Sequence, residues 1–189
     1  MRRWLALIVA CAALPAHALT LGELAATLAT VDASRARFVE IRTLAALGTP
    51  IERRGTLAYN RPGKLEMIVD TPINERMTIA DGTMTVESRG TTRVVDLTRQ
   101  EPLLAWIEGI RGTLAGDEAA LRRYFEPTVS GTLDRWSLSL VPRDARLRAI
   151  VARVTIAGER DRVRTIEVDE VSGDRAVMTI VPLAGGSQK

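Results

Sequence analysis

The stretch LAYNRPGKLEMIVDTP, residues 57–72, decides how the rest of the chain is read. Asn60-Arg61-Pro62-Gly63 is a turn signal between two runs that read as strands. In the second run Leu65, Met67 and Val69 fall on one face, with Glu66 and Asp70 on the other. Large flexible apolar groups thus line one strand face beside an Arg-Pro turn. That face is either ordinary core or the wall of a space meant to be filled.

Outward from this turn the pattern stays β. Arg37–Arg42, Gly55–Tyr59, Leu65–Val69 and Glu75–Ala80 read as strands, with Gly48-Thr49-Pro50 as a turn. Asp81-Gly82 is a hairpin signal, and Thr83–Glu87 and Thr92–Leu97 complete a meander. Strands in immediate succession with tight turns predict an antiparallel sheet. Further strands are predicted at Trp136–Val141, Ile150–Ile156, Val163–Val168 and Arg175–Val181. Trp136, Leu138 and Leu140 share a face, as do Ile150, Ala152, Val154 and Ile156.

Helices precede and interrupt the strands. Thr20 and Glu23 fit a capping box, and Leu21, Leu24, Leu28 and Val31 follow at helical spacing over about 20–30. Thr98 and Glu101 repeat the capping pattern before Leu103, Ile107, Ile110 and Leu114, with Trp106 beside that stripe. Gly112 and Gly116 weaken this helix and predict two pieces, the second capped by Asp117 and running through Phe125. The prediction is one domain over 19–183, mainly β with α. About ten strands form a curling sheet, helices cover its concave face, and a small polar tail at 184–189 is disordered.

The first eighteen residues read as a signal peptide. Arg2 and Arg3 are charged, Trp4–Leu14 is apolar, and Ala16-His17-Ala18 places cleavage after Ala18. A competing reading takes Ile8-Val9-Ala10-Cys11 as a lipobox, with Cys11 as a lipid-bearing N-terminus. The whole chain has 26 Lys+Arg against 23 Asp+Glu, and removal of Arg2 and Arg3 lowers its formal charge from +3 to +1. Charges of both signs are interspersed, which gives no nucleic-acid footprint.

The single cysteine and the single histidine, Cys11 and His17, both lie in the signal segment. The remainder has no disulfide, and lacks the commonest general base, metal ligand and nucleophile. Asp169-Glu170 face opposite sides of a strand and Lys64 has no paired serine, so no catalytic set assembles. The chain reads as a non-enzyme without cofactor or metal. Arg61 is either a solvated turn residue or a latch whose guanidinium fork holds carbonyls of a helix over the barrel mouth. Arg99, Arg111 and Arg122 read as surface charges. Leu65, Met67, Val69, Met77 and Ile79 are core or lining, and so are Leu103, Leu104, Trp106, Ile107 and Ile110.

This order of elements resembles the LolA family of periplasmic outer-membrane lipoprotein carriers. The most specific shared run is G-x-L-x-x-x-R-P, here Gly55-Thr56-Leu57-Ala58-Tyr59-Asn60-Arg61-Pro62, followed by Thr71-Pro72 and Asp81-Gly82. The resemblance implies an incomplete, half-open antiparallel β-barrel with a helical lid over an apolar cavity. It implies that Arg61 holds the lid, and that Leu65, Met67 and Val69, with Leu103 and Trp106 of the lid, line the cavity. The implied cargo is an acylated lipoprotein or other lipid. It would pass, in the periplasm of a Gram-negative bacterium, from an inner-membrane transporter to an outer-membrane receptor, carried by a monomer. The family often has aromatics where this chain has Leu65, Met67 and Thr83-Met84-Thr85-Val86, and a longer segment beyond Pro182. The chain therefore resembles a LolA-related member rather than the housekeeping carrier, with cargo extending to lipids such as aryl polyenes. Cys11 leaves open an anchored, LolB-like receptor, and a filled, protein-binding β-domain is the further alternative.

Overall fold

A computed structural model describes residues 18–188, with side chains through Leu183. Helix α1 (Leu21–Leu28) opens the described chain with the capping box predicted from Thr20 and Glu23. A meander follows: β1 (Ala33–Thr43), β2 (Pro50–Asn60), β3 (Lys64–Thr71), β4 (Glu75–Ala80), β5 (Thr83–Ser88) and β6 (Thr91–Asp96). A 3-10 turn at Leu97–Arg99 leads to α2 (Glu101–Ala115) and α3 (Glu118–Tyr124). A second meander then runs through β7 (Phe125–Thr132), β8 (Arg135–Pro142), β9 (Val151–Glu159), β10 (Arg162–Glu170) and β11 (Arg175–Gln188), with α4 (Ala145–Arg148) before β9.

All eleven strands form one antiparallel sheet in the order β6-β5-β4-β3-β2-β1-β11-β10-β9-β8-β7. The two meanders join where β1 pairs with β11. β6 and β7 are left as edges, so the barrel is incomplete, and α2 and α3 carry the chain from one edge to the other.

The structure corrects four sequence readings. Strand β7 is additional, because Pro127 argues against a strand in sequence yet is tolerated at an edge. The tail does not dissolve into disorder. β11 continues to Gln188, with Ser187 and Gln188 opposite Ser34 and Ala33, and backbone pairing needs no apolar side chains. A bulge places Asp169 opposite Arg153 but Glu170 opposite Val151. The extra residue turns Val151 and Val154 both inward, while Ala152 is exposed and Ile150 is 55 % exposed.

Thr98 and Glu101 form no capping box. Thr98 is engaged by Asp96, whose Oδ1 accepts its backbone N–H at 3.0 Å, and Gln100 is the N-cap without a side-chain bond. The break between the two predicted helical pieces falls at Gly116, directly before the Asp117 cap. Gly116 has φ 64°, and a Cβ there would lie 2.1 Å from the Ala25 carbonyl oxygen of α1. No other residue permits both that turn and that approach. Asp117 then caps α3 as predicted.

The main core joins α1, α2 and α3 to β7–β9 through Leu24, Leu121, Phe125, Trp136, Leu138 and Leu140. A smaller cluster, Ala36, Phe38, Val69, Met178 and Ile180, packs on β1, β3 and β11.

Candidate functional site

The inward faces of β1–β5 follow from alternation. Leu57 lies opposite Met67, and Met67 opposite Met77; Tyr59 lies opposite Leu65, Leu65 opposite Ile79, and Ile79 opposite Met84. These rungs would be core if a helix lay directly on them. Instead a cavity of about 510 Å³ separates them from α2. Leu65, Met67, Met77, Ile79, Leu103, Trp106, Ile107 and Ile110, each singled out in the sequence, line it. Val69 does not. It is 2 % exposed and packs in the smaller core cluster, because its strand position has already passed from cavity to core. Leu104 is likewise outside the lining.

The sequence reading missed Leu57, Met84, Met178, Ile180 and Tyr59, all on the lining. One available signal was methionine itself. Met67, Met77, Met84 and Met178 are every methionine after Met1, and all four line the cavity. An unbranched thioether chain repacks around varied shapes at low cost.

Four of the charged lining residues, Glu40, Arg42, Arg53 and Glu170, occupy strand positions beyond the apolar rungs and pair with one another. Glu40, 8 % exposed, accepts from Arg53 Nη1 at 3.4 Å. Arg53 also reaches Glu75 at 3.6 Å, and Arg42 pairs with Glu170. Glu170 and Asp169 are thus split between two partners, Arg42 and Arg175.

At the other end of those strands the β2–β3 turn meets the helices. Arg61 Nη2 donates to the Ala29 carbonyl at 2.7 Å and to the Ala115 carbonyl at 2.9 Å, and Nε donates to the Val31 carbonyl at 3.4 Å. Ala29 ends α1 and Ala115 ends α2, so one guanidinium ties together two helix C-termini. Those ends carry unsatisfied carbonyls and the negative pole of the helix, which a cation stabilises. Arg61, itself partly exposed, is thus bonded to the ends of both helices.

Arg111, read from sequence as a surface charge, belongs to the same junction. Its Nε and Nη2 donate to Glu108 at 2.6–2.9 Å, and Nη2 reaches Asp117 at 3.4 Å. The bond to Glu108 outweighs burial and raises the guanidinium's already high pKa. Its stem lies under the turn, where a Cβ at Gly63 would come within 2.8 Å of Cδ. Arg99 and Arg122 remain exposed, paired with Asp96 and Glu118. Tyr59, two residues before the latch, is 3 % exposed and its hydroxyl pKa is raised by burial, against the opposing pull of Arg61 and Arg111.

Among the described residues no cluster of His, Cys, Asp or Glu is placed to hold a metal ion. Ala18 is exposed, whereas the residues before it that the sequence reads as a signal segment, Cys11 among them, lie outside the described residues.

The family model described as outer membrane lipoprotein carrier protein LolA-like matches residues 12–188. A comparison with curated proteins gives no match. Among solved structures, a LolA superfamily protein of Nitrosomonas europaea is similar at 10% identity and a TM-score of 0.45, over 86% of this chain and 91% of that one. A DUF1329 family protein of Desulfovibrio piger gives 11% and 0.47, over 85% and 88%. LprF of Mycobacterium bovis gives 12% and 0.36, over 85% and 90%. All three score below 0.5, so the family model alone carries the assignment.

Proposed function

From the premise that the chain belongs to the LolA-like outer membrane lipoprotein carrier family, we propose that it is a carrier sheltering acyl chains in the cavity under α2. The observation that carries this is the cavity itself. It is about 510 Å³, within the roughly 300–1,000 Å³ usual for ligand sites, and every methionine after Met1 borders it. A protein built only for stability fills such a space, because unfilled volume forfeits dispersion contacts.

In this proposal Leu65, Met67, Met77, Ile79, Leu103, Trp106, Ile107 and Ile110 contact the chains. Arg61 is the lid latch, and its release lets α1 and α2 part so that cargo enters. The carrier acts in the periplasm of a Gram-negative cell. It takes a lipoprotein or other envelope lipid from an inner-membrane transporter to an outer-membrane receptor. Purification from the native host under gentle conditions, followed by lipid extraction and mass spectrometry, tests it. A stoichiometric acylated species is the expected result. A clean blank, repeated after loading with candidate lipids, would sink the proposal and favour a protein-binding β-domain.

Ile8-Val9-Ala10-Cys11 favours a second reading, an anchored receptor for the same cargo. The mass of the mature N-terminus separates the two: Leu19 at the start means a free carrier, a lipid-bearing Cys11 an anchored one.

A further inference from the structure

The open sheet has two edges, and they differ. Edge β7 carries Pro127, which has no N–H to offer a neighbouring strand. Edge β6, Thr91-Thr92-Arg93-Val94-Val95-Asp96, holds no proline, no lysine and no bulge, and pairs with β5 in unbroken register. Such an edge is a template for a further strand. The two-residue turn Arg89-Gly90, with φ 50° and 74°, fixes which backbone groups stay open. It makes Ser88 and Thr91 a hydrogen-bonded pair, so Thr91, Arg93 and Val95 turn their N–H and C=O groups to β5. Those of Thr92 and Val94 face outward, where no other strand lies among the described residues. Both residues are exposed, Val94 to 67 %.

Arg93 decides what fits there. It lies opposite Val86, Val86 opposite Met77 and Met77 opposite Met67, so it shares the cavity face of the sheet. It is exposed, and no carboxylate among the described residues pairs with it. An antiparallel pairing of two copies that joins Thr92 to Val94 would set Arg93 against Arg93, and like charges directly opposite are destabilising. The same charge favours a strand that brings a carboxylate. The cavity supplies the means of delivery. Met84 of β5 lines it, so it reaches to within one strand of the edge. A strand added to β6 would lie about 10 Å beyond β5, a distance that about three extended residues span. In a lipoprotein, the acylated residue is followed by such a chain.

We propose that β6 is a docking edge for the extended peptide that follows the acylated residue of the cargo, which adds to the sheet as a further strand and sets a carboxylate against Arg93. The inference rests on the carrier proposal and names the part of the cargo held outside the cavity. Backbone hydrogen bonds to Thr92 and Val94 are blind to sequence, so one edge serves many peptides. Arg93 adds the preference for an acidic side chain.

The test uses a peptide of about ten residues, enough to reach the edge and pair as a strand of ordinary length. It is diacylated on an N-terminal cysteine and carries a glutamate near its middle; the diacylated cysteine alone is the second probe. Amide hydrogen exchange of the wild type should slow at Thr92 and Val94 with the lipopeptide, and not with the acylated cysteine. In displacement of a fluorescent hydrophobic dye, the lipopeptide should bind about 10-fold tighter than the acylated cysteine. Val94→Pro removes an outward N–H and keeps the ladder to β5, so it should erase that gain and leave the acylated cysteine bound as before. Arg93→Ala, which leaves the backbone alone, should erase the preference for the glutamate peptide over its glutamine version. Lipopeptide binding without protection at Thr92 and Val94, or a gain that survives Val94→Pro, overturns the docking edge while leaving the carrier intact. Protection that rises with protein concentration alone would put a second copy on the edge, and would overturn the proposal as well. Failure of the wild type to bind either probe overturns the carrier and this inference together.

Discussion

Strands β8 and β3 carry the same pattern to opposite ends. On β8, Trp136, Leu138 and Leu140 alternate with Ser137 and Ser139; on β3, Leu65, Met67 and Val69 alternate with Glu66 and Ile68. Leu138 and Leu140 are 0 % exposed, packed under the helices with Leu24, Leu121 and Phe125. Leu65 and Met67 stay half-buried and face α2 across a cavity. Alternation decides which face of a strand is apolar, and says nothing of whether anything sits on it. The side chains differ in kind, too. The filled cluster contains no methionine, whereas four methionines join the leucines and isoleucines of the cavity lining.

The largest expected effect comes from breaking the filled half. Leu140→Ala should cost about 3–5 kcal/mol in chemical denaturation, since a new void opens in a close-packed region. Met67→Ala should cost about 1 kcal/mol or less, because its side chain already borders empty space and little packing is lost. Equal costs for the two would abolish the distinction drawn between the halves.

Arg61→Leu comes next, at about 1–2 kcal/mol, from the loss of charge-assisted bonds to Ala29 and Ala115. Its sharper readout is local. Amide hydrogen exchange should accelerate in the last turns of α1 and α2 while β7–β9 stay protected. Uniform acceleration would mean that Arg61 supports the whole fold rather than a lid.

Met67→Trp should leave stability nearly unchanged and weaken binding of a hydrophobic dye severalfold, by filling the cavity. Undiminished binding would place the dye elsewhere.

The smallest effect concerns pH. Burial raises the Tyr59 pKa, so the unfolded chain ionises first. The protonated hydroxyl's contribution is fully present below the ordinary tyrosine value of about 10, and is lost as pH rises from there through the higher folded value. The melting temperature of the wild type should therefore fall somewhat more steeply than that of Tyr59→Phe as pH rises above about 10. Parallel curves would show that Tyr59 is not desolvated in the fold.

Much of the fold was legible because short-range rules dictate it. The Thr20–Glu23 capping box, the Asp81-Gly82 hairpin and the Asp117 cap each need only neighbours in sequence, and all formed as read. The failures share a cause. Thr98 had two possible partners, and Asp96 won. Strand β7 was hidden by a proline that only its edge position tolerates, and the bulge at Ala152 depends on β10 pairing. Of the site, Leu65, Met67, Met77 and Ile79 were readable from period two, and the helix stripe from period 3.6. Val69 was misplaced because core and lining share one composition. Arg111 was missed because its partners, Glu108 and Asp117, are common helix-surface residues until a turn covers them.

By itself, then, the sequence determined the strands, the helices, which faces are apolar, and the arginine at the β2–β3 turn, because each follows from local dihedral preference and periodicity. Only the tertiary structure decided that Arg61 meets two helix ends 32 and 54 residues away in sequence, that the Tyr59 hydroxyl is buried with no hydrogen-bond partner among the described residues, and that α2 stands off the sheet. Those outcomes depend on how far apart two packed layers sit, and no residue encodes that distance on its own.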